Sequence, residues 1–302
     1  MLKRNVILGG LIAGAFLLPV AANAGRVTGQ CVNCHTMHNS QGNLPMTGAT
    51  TAGSPTLLKG NCAGCHTGGV NDATGREAAG TIHAPQVTDS TNILSGGYFN
   101  AISDATHHNV ANISTADVDG ALGNTPPGGA AMGGMLTCED CHQGTGGHHG
   151  TGGGFRLLSG VTGTPAANYG VNMAAANGVG NRSAASYNGT INTFCGSCHS
   201  LFHGAGNQMA GGSWIRHPTD ITLSSEARAG LTTYSTADAA YGTKGDIVPV
   251  GDTDLVLCLS CHVPHGSANA DLLSFAYSSN SAGDGSASNG CETCHSYGAT
   301  GM

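Results

Sequence analysis

The sequence predicts a mostly irregular chain with short α- and 3-10 helices and little β-strand. Three observations predict it. Glycine makes up 50 of the 302 residues, about 17%, against roughly 7% in ordinary proteins. Leu, Ile, Val and Phe together also make up only about 17%, and no sustained helical or strand periodicity follows the first 24 residues. Such a chain buries too little apolar surface to offset an ordering cost of roughly 1–2 kcal/mol per residue, so something besides side chains must supply its core.

The first 24 residues are typical of a secretory signal peptide. Lys3 and Arg4 precede an apolar stretch over residues 6–20, and the small residues Ala22 and Ala24 frame a cleavage site. The apolar stretch is shorter than the roughly 20 residues that a membrane-spanning helix needs. We therefore expect a signal peptide at 1–24 and a single exported domain at 25–302, without membrane insertion after cleavage.

The charge balance of the expected mature chain limits its partners. Without Lys3 and Arg4, eight basic residues stand against seventeen acidic ones. Nucleic acids and anionic membranes require a basic surface that neutralises phosphates. We therefore expect no nucleic-acid partner.

The twelve cysteines form six C-x-x-C pairs, and a histidine follows each pair directly. The first cysteines are Cys31, Cys62, Cys138, Cys195, Cys258 and Cys291, the second are Cys34, Cys65, Cys141, Cys198, Cys261 and Cys294, and the histidines are His35, His66, His142, His199, His262 and His295. This spacing is the attachment signature of c-type haem. Residues i and i+3 share one face of a helical turn, so two thiols can bond one haem while the histidine reaches its iron. Disulfides, zinc ribbons and thioredoxin-like motifs give no reason for the six histidines.

We therefore predict six covalently attached haem c groups, with the six motif histidines as proximal iron ligands. The nine other histidines fall in seven loci, enough to give each iron a second imidazole. They are His38, His83, the neighbours His107 and His108, the neighbours His148 and His149, His203, His217 and His265. Methionine is the rival distal ligand, and Met37, Met46, Met132, Met135, Met173 and Met209 are available. Which locus is surplus, and which histidine serves which haem, stays open.

Three of these histidines lie just beyond a motif. His38, His203 and His265 follow their own proximal ligand too closely to cross the porphyrin plane, so each is expected to serve a different haem. Motifs one and two, and motifs five and six, form close couples, and the longer Gly-, Ala-, Asn- and Thr-rich segments are expected to wrap a chain of haems. Because the porphyrins would supply the core, the haem-free chain is expected to be unfolded.

An electron carrier is the function that this ligand inventory favours. With every iron six-coordinate, no site remains open for a substrate, so we expect no enzymatic activity. Two alternatives stay open. A multihaem reductase of nitrite or hydroxylamine needs a five-coordinate haem with a polar distal pocket. A monomeric periplasmic shuttle is usually rich in lysine around exposed haem edges, whereas only Lys59 and Lys244 follow the expected signal peptide.

The contexts of the motifs resemble a known family. The segments around Cys31 to Ser40, around His217 with Arg216 and Pro218, and from Cys258 to His265 are similar to the OmcS-like extracellular hexahaem c-type cytochromes of metal-reducing bacteria, with six motifs in the same order. The likeness is strongest around the motifs and weak in the loops, and this chain is shorter. The family has a histidine upstream of motif five, where this chain has Lys244, Gly245 and Asp246.

The resemblance implies the assembly and the location of the protein. It implies a head-to-tail filament, or nanowire, at the cell surface or outside the cell, with redox partner cytochromes or extracellular acceptors. It also places His83, His108, His149 and His203 in family-like contexts, and it implies that His38 binds the haem of motif five in the adjacent subunit. The residues alone say only that His38 needs a partner elsewhere, and a ligand role within its own chain stays open.

Overall fold

A computed structural model of the chain describes the surroundings of five motifs and the start of the sixth. The described residues are 31–38, 40–41, 44–45, 57–58, 60–71, 84–94, 96–99, 106–111, 113, 123–142, 158, 161, 163–164, 186–187, 190–203, 209–210, 213–214, 217, 219, 256–281 and 290–291. The expected signal peptide at 1–24 lies outside them. Within these segments the chain is mostly coil, which confirms the predicted fold class.

Five short α-helices carry or precede the haem-attachment motifs. They are α1 (Cys31–Cys34), α2 (Cys62–His66), α3 (Cys138–Cys141), α4 (Thr190–Gly196) and α5 (Cys258–Cys261). Single turns are not stable alone, and side chains cap three of them. Asn61 Oδ1 accepts the N–H of Gly64 at 3.0 Å at the start of α2. At α3 and α5, Asp140 and Ser260 accept the backbone N–H of the residue that precedes each helix, at 2.7 and 2.9 Å.

The remaining regular elements are equally short. Single-turn 3-10 helices span Ser200–His203, Ala270–Leu272 and Tyr277–Ser279. Three antiparallel two-stranded ribbons pair β1 (Ser40–Gln41) with β2 (Leu44–Pro45), β3 (Gly163–Thr164) with β4 (Ser186–Tyr187), and β5 (Met209–Ala210) with β6 (Ser213–Trp214). The little strand that exists therefore joins neighbouring loops and builds no sheet of three or more strands within the described residues.

Three motif histidines share a backbone pairing with a leucine further along the chain. Isolated antiparallel bridges join His35 to Leu58, His142 to Leu158 and His262 to Leu273. Each bridge folds the segment that follows a motif back onto the histidine. Three of the described motifs therefore share one local structure, in which a leucine further along the chain pairs with the histidine of the cysteine turn.

A small apolar cluster lies beside motifs four and five. It consists of Val161, Ile191, Leu257 and Leu259, with Leu158 and Phe194 packed against it. Each of the chain segments that contribute to this cluster supplies only one or two of its apolar side chains, and the fold brings the segments together from distant parts of the sequence. The cluster therefore adds a small apolar core to the described part of the chain.

None of the helices among the described residues has the length and hydrophobicity required to cross a membrane.

Candidate haem-binding sites

Each described motif forms one helical turn that places its histidine directly over its first cysteine. The backbone N–H of the histidine donates to the carbonyl of that cysteine in motifs one, three, four and five, at 2.7–3.0 Å. In motif two the histidine is itself the last residue of α2. Both thiols and the imidazole therefore leave the same turn, which is the arrangement expected from the spacing.

Backbone carbonyls fix the orientation of several motif histidines. The Nδ1 atoms of His66, His199 and His262 lie 2.8 Å from the carbonyl oxygens of Pro85, Pro127 and Asp271, respectively. A carbonyl can only accept, so Nδ1 carries the proton in each ring. The other nitrogen, Nε2, is then the unprotonated one. Histidines that bind a metal through one ring nitrogen commonly donate the N–H of the other nitrogen to a carbonyl in this way.

Two pairs of imidazole rings lie close together, here called the facing pairs: His142 with His265, whose planes meet at 62°, and His108 with His199, whose planes meet at 48°. The ring centroids of His142 and His265 are 6.0 Å apart, and those of His108 and His199 are 6.3 Å apart. With metal–imidazole bonds of about 2.0 Å and ring centres about 1.1 Å behind the nitrogens, two axial ligands of one metal have centroids about 6.2 Å apart. Both spacings therefore fit a pair of imidazoles on opposite faces of one haem.

His108 has the other features of a distal ligand. Its Nδ1 lies 2.5 Å from the carbonyl oxygen of Pro264, so its proton is also held away from Nε2. Burial lowers the pKa of the His108 imidazole, although the bond to Pro264 opposes this effect. The ring is therefore neutral, which is the form that coordinates a metal.

Cysteines of successive motifs are neighbours in space. The Cys62 thiol lies within hydrogen-bonding reach of the Cys138 thiol, and it donates to Glu139 Oε1 at 3.3 Å. Cys195 hydrogen-bonds Cys258 in the same way. Cys141 of motif three interacts with Cys198 of motif four. The contacts thus link motifs two to three, three to four, and four to five, alternating between first and second cysteines.

The surroundings of these thiols favour neutral sulfur. Burial raises the pKa of Cys62 to about 12 and that of Cys141 to about 11. A hydrogen bond with Cys258, followed by burial, raises the pKa of Cys195 well above its usual value. The eleven described cysteines are not in disulfides, and no three His, Cys, Asp or Glu side chains in the described segments could enclose a metal ion.

The other predicted ligands are less enclosed or lie outside the described residues. His38 and His217 are exposed, and His203 packs close to Gly196 of its own motif. No other ring among the described residues contacts that of His38. His83, His148, His149, Cys294, His295, Met46 and Met173 lie outside the described residues.

Phe99, which the sequence did not single out, lies between His265 and His107. The ring of Phe99 stacks on His265, with centroids 4.9 Å apart, and meets the ring of His107 edge-on. His107 is only 3% exposed, and its Nδ1 bonds to the carbonyl of His108 while Nε2 has no hydrogen-bond partner. Of the two neighbouring histidines, His108 is the one whose ring lies close to a motif histidine, His199.

Known proteins are similar to this chain in sequence and in fold. Residues 248–300, which hold motifs five and six, match the model of the doubled CXXCH motif family. The C-type cytochrome OmcS of Geobacter sulfurreducens is 24% identical over 339 aligned residues, covering 82% of this chain and 78% of that protein. The chain is therefore similar to OmcS over most of its length. The structure also matches a filament of outer membrane cytochrome S from the same organism, with a TM-score of 0.53 and 20% identity over 82% of this chain and 84% of the other.

The attachment motifs identify the cofactor. The family model covers one couple of motifs, and the remaining motifs have the same C-x-x-C-H pattern. Covalently bound haem c is therefore the cofactor of this chain.

Proposed function

We propose that the protein transfers electrons through six covalently attached haems, each bound by two imidazoles, and that it has no enzymatic activity. The observation that carries this proposal is the pair of facing rings, His142 with His265 and His108 with His199. Haem iron held in this way supplies reversible one-electron transfer at a low potential. Two imidazoles on one iron leave no position for a substrate.

The facing rings support a specific assignment of ligands. His265 serves the haem of motif three, opposite His142, and His108 serves the haem of motif four, opposite His199. His265 follows motif five in sequence, so this assignment agrees with the expectation that a histidine close behind a motif binds a different haem. It also supports His108 rather than His107 as the ligand at that locus.

Spectra of single variants test the assignment. His265→Ala and His108→Ala should each retain six haems and convert one of the six low-spin irons to a high-spin or newly ligated state, measured by electron paramagnetic resonance. His107→Asn is the matched control and should leave all six irons low-spin. A fully low-spin His265→Ala protein without a new ligand would refute bis-histidine binding at motif three. The intact mass of the parent should exceed that of residues 25–302 by six haems.

The positions of the cysteines support an order of the haems. Hydrogen bonds join Cys62 to Cys138 and Cys195 to Cys258, and Cys141 lies close enough to Cys198 for its pKa to be affected. We infer that the haems of motifs two, three, four and five lie next to each other in the same order. Closely spaced redox centres suit conduction along the chain rather than storage at one site. The alternative reductase function requires an open iron, so it predicts turnover of nitrite or hydroxylamine by the reduced protein, whereas the conduit predicts none.

We further propose that identical subunits join head to tail and act outside the cell. His38 is exposed beside Met37, which is 84% exposed, and the structural relative is a filament. A histidine presented at the surface can complete the haem of motif five in the next subunit. The interface would then be heterologous and would not close.

Electron microscopy of purified protein tests the assembly. His38→Ala should keep six haems per chain, abolish filaments and change the axial state of one haem. Met37→Leu, at the neighbouring exposed position, should keep the filaments. Filaments of His38→Ala with unchanged spectra would exclude the ligand across the interface, and single particles of the parent protein would favour a monomeric periplasmic shuttle.

A further inference from the structure

The segment from Pro85 to Val87 holds the polar groups of motif two at three points. The carbonyl of Pro85 faces Nδ1 of His66 at 2.8 Å. The side-chain amide of Gln86 donates to the carbonyl of Cys65 at 3.1 Å, and the N–H of Val87 donates to the carbonyl of His66 at 2.8 Å. The orientation of the His66 ring therefore depends on where this segment lies.

Buried side chains fix the position of the segment. Asn71 Nδ2 donates to the carbonyls of Gln86 and Asn92 at 3.0 and 2.9 Å, and Asn71 Oδ1 accepts the N–H of Gln86 at 2.9 Å. Gln86 Oε1 accepts the N–H of Gly69 at 3.0 Å, while its amide also donates to Ala84. Both side chains are at most 2% exposed. A buried network with its bonds made specifies one geometry.

A buried carboxylate anchors the network at its far end. Asp89 accepts three backbone N–H groups, those of Asn71 at 2.7 Å, Thr91 at 2.9 Å and Asn92 at 3.1 Å. The turn that carries Asp89 is thereby tied to Asn71, and Asn71 in turn holds Gln86. The chain of bonds runs from Asp89 to the histidine of motif two without a break.

Motifs four and five hold their histidines differently. The turns that carry the carbonyls facing His199 and His262 are closed mainly by backbone bonds, including Leu201 N–H to the Gly128 carbonyl at 2.7 Å and Val263 N–H to the Leu272 carbonyl at 2.7 Å. Side chains add to these turns: Ser200 donates to the Gly128 carbonyl at 3.5 Å, and Ser267 and Asn269 donate to the Leu273 carbonyl at 2.6 and 3.0 Å. In motif two, by contrast, a buried side-chain amide donates to a backbone carbonyl of the motif itself, that of Cys65. Motif two is therefore a described motif in which a side-chain substitution can move the segment that orients the ring without changing a ligand.

We propose that Gln86 and Asn71 are positioning residues. Through His66 they set the electronic properties of the haem of motif two, and this proposal rests on the haem-binding function proposed above. The bond from Nδ1 to a carbonyl raises the basicity of the imidazole and fixes its plane. Hydrogen bonding behind an axial ligand is one of the means by which a protein tunes the haem potential. Loosening the network weakens this bond, which makes the imidazole a poorer donor and raises the potential of that haem.

The test uses the full haem-bearing protein and two uncharged variants. Gln86→Met keeps the length of the side chain and removes its three hydrogen bonds. Asn71→Ala acts one step further from the haem. The control, Ser197→Ala, removes a hydroxyl that donates to the Phe194 carbonyl at 2.7 Å in motif four and that bonds none of the carbonyls that face a motif histidine. Each variant is examined by mass, redox titration and electron paramagnetic resonance.

In Gln86→Met we expect one of the six midpoint potentials to rise and one low-spin resonance to shift, with six haems retained. Asn71→Ala should change the same component by less, and Ser197→Ala should change none. Unchanged potentials and resonances in both network variants would overturn the positioning role. Loss of a haem from both would also overturn it, because the network would then serve folding alone. A parent protein with fewer than six haems would instead refute the proposed function.

Discussion

Motifs one and five have the same local structure but lie in opposite surroundings. Each is a C-x-x-C-H-x-x-H turn followed by a leucine pair, and the histidine bridges the second leucine. Each also places the first leucine in a left-handed conformation, with φ of 56° at Leu57 and 57° at Leu272. Around motif five, however, Leu257 and Val263 are at most 1% exposed, whereas in motif one Val32 is 57% exposed.

The difference shows that location, rather than local geometry, decides what the second histidine can reach. His265 of motif five is surrounded by Phe99 and Gly96 and faces His142. His38, at the equivalent position of motif one, lies at the surface. The same local structure thus carries an enclosed histidine in motif five and an exposed histidine in motif one.

Replacing the cysteines that attach a haem should give the largest difference between motifs five and one, measured as the yield of folded protein. Replacing both cysteines of motif five, Cys258 and Cys261, with alanine should prevent accumulation of folded protein, because that turn contacts the apolar cluster and leads to His265. Replacing Cys31 and Cys34 should give a folded protein with one haem fewer. Haem-stained gels and intact masses measure both. Equal yields of the two variants would contradict the view that motif five, unlike motif one, is part of the core.

Truncation of apolar side chains should give a smaller difference between the two motifs, again with the greater loss of stability at motif five. Leu257→Ala should lower the free energy of unfolding by about 2–5 kcal/mol, since it leaves a cavity in the Val161 and Ile191 cluster. Val32→Ala should change it by less than about 0.5 kcal/mol in isolated subunits, because the side chain is exposed. Denaturation midpoints in urea, monitored by the haem absorption, provide the comparison. A large loss in Val32→Ala would mean that motif one is also packed within the subunit.

The left-handed leucines should give the smallest effect. A non-glycine residue at positive φ stores strain of about 1–2 kcal/mol, and asparagine tolerates this conformation better than leucine. Leu57→Asn should therefore raise the melting temperature slightly, because Leu57 is partly exposed and loses little packing. Leu272→Asn should raise the melting temperature less, since Leu272 is half-buried and its replacement also loses packing. A lower melting temperature of Leu57→Asn would show that its contacts outweigh the strain.

The sequence predicted the features that depend on local spacing. The helical turn at each described motif follows from cysteines three residues apart, and the coil-rich fold follows from the high glycine content. The haem chemistry follows from the histidine behind each pair. These features need only neighbouring residues, so one sequence was sufficient for them.

Features that depend on distant contacts could not be predicted. Nothing in the sequence relates His108 to His199 or His265 to His142, because the intervening loops have no pattern that fixes their path. The groups of Pro85, Pro127 and Asp271 that face the motif histidines are backbone carbonyls, which every residue has, so the residue type does not reveal them. The role of Gln86 is equally hidden, since a buried amide and an exposed one look the same in a sequence.

The contacts between cysteines of successive motifs have a consequence for how such chains can change in length. An insertion in a loop between motifs leaves the sulfur atoms of Cys62 and Cys138, or of Cys195 and Cys258, side by side. An insertion within a turn moves a thiol to another face and breaks the contact. Large differences in chain length are therefore compatible with the same spacing between haems, whereas a single residue added inside a motif is not.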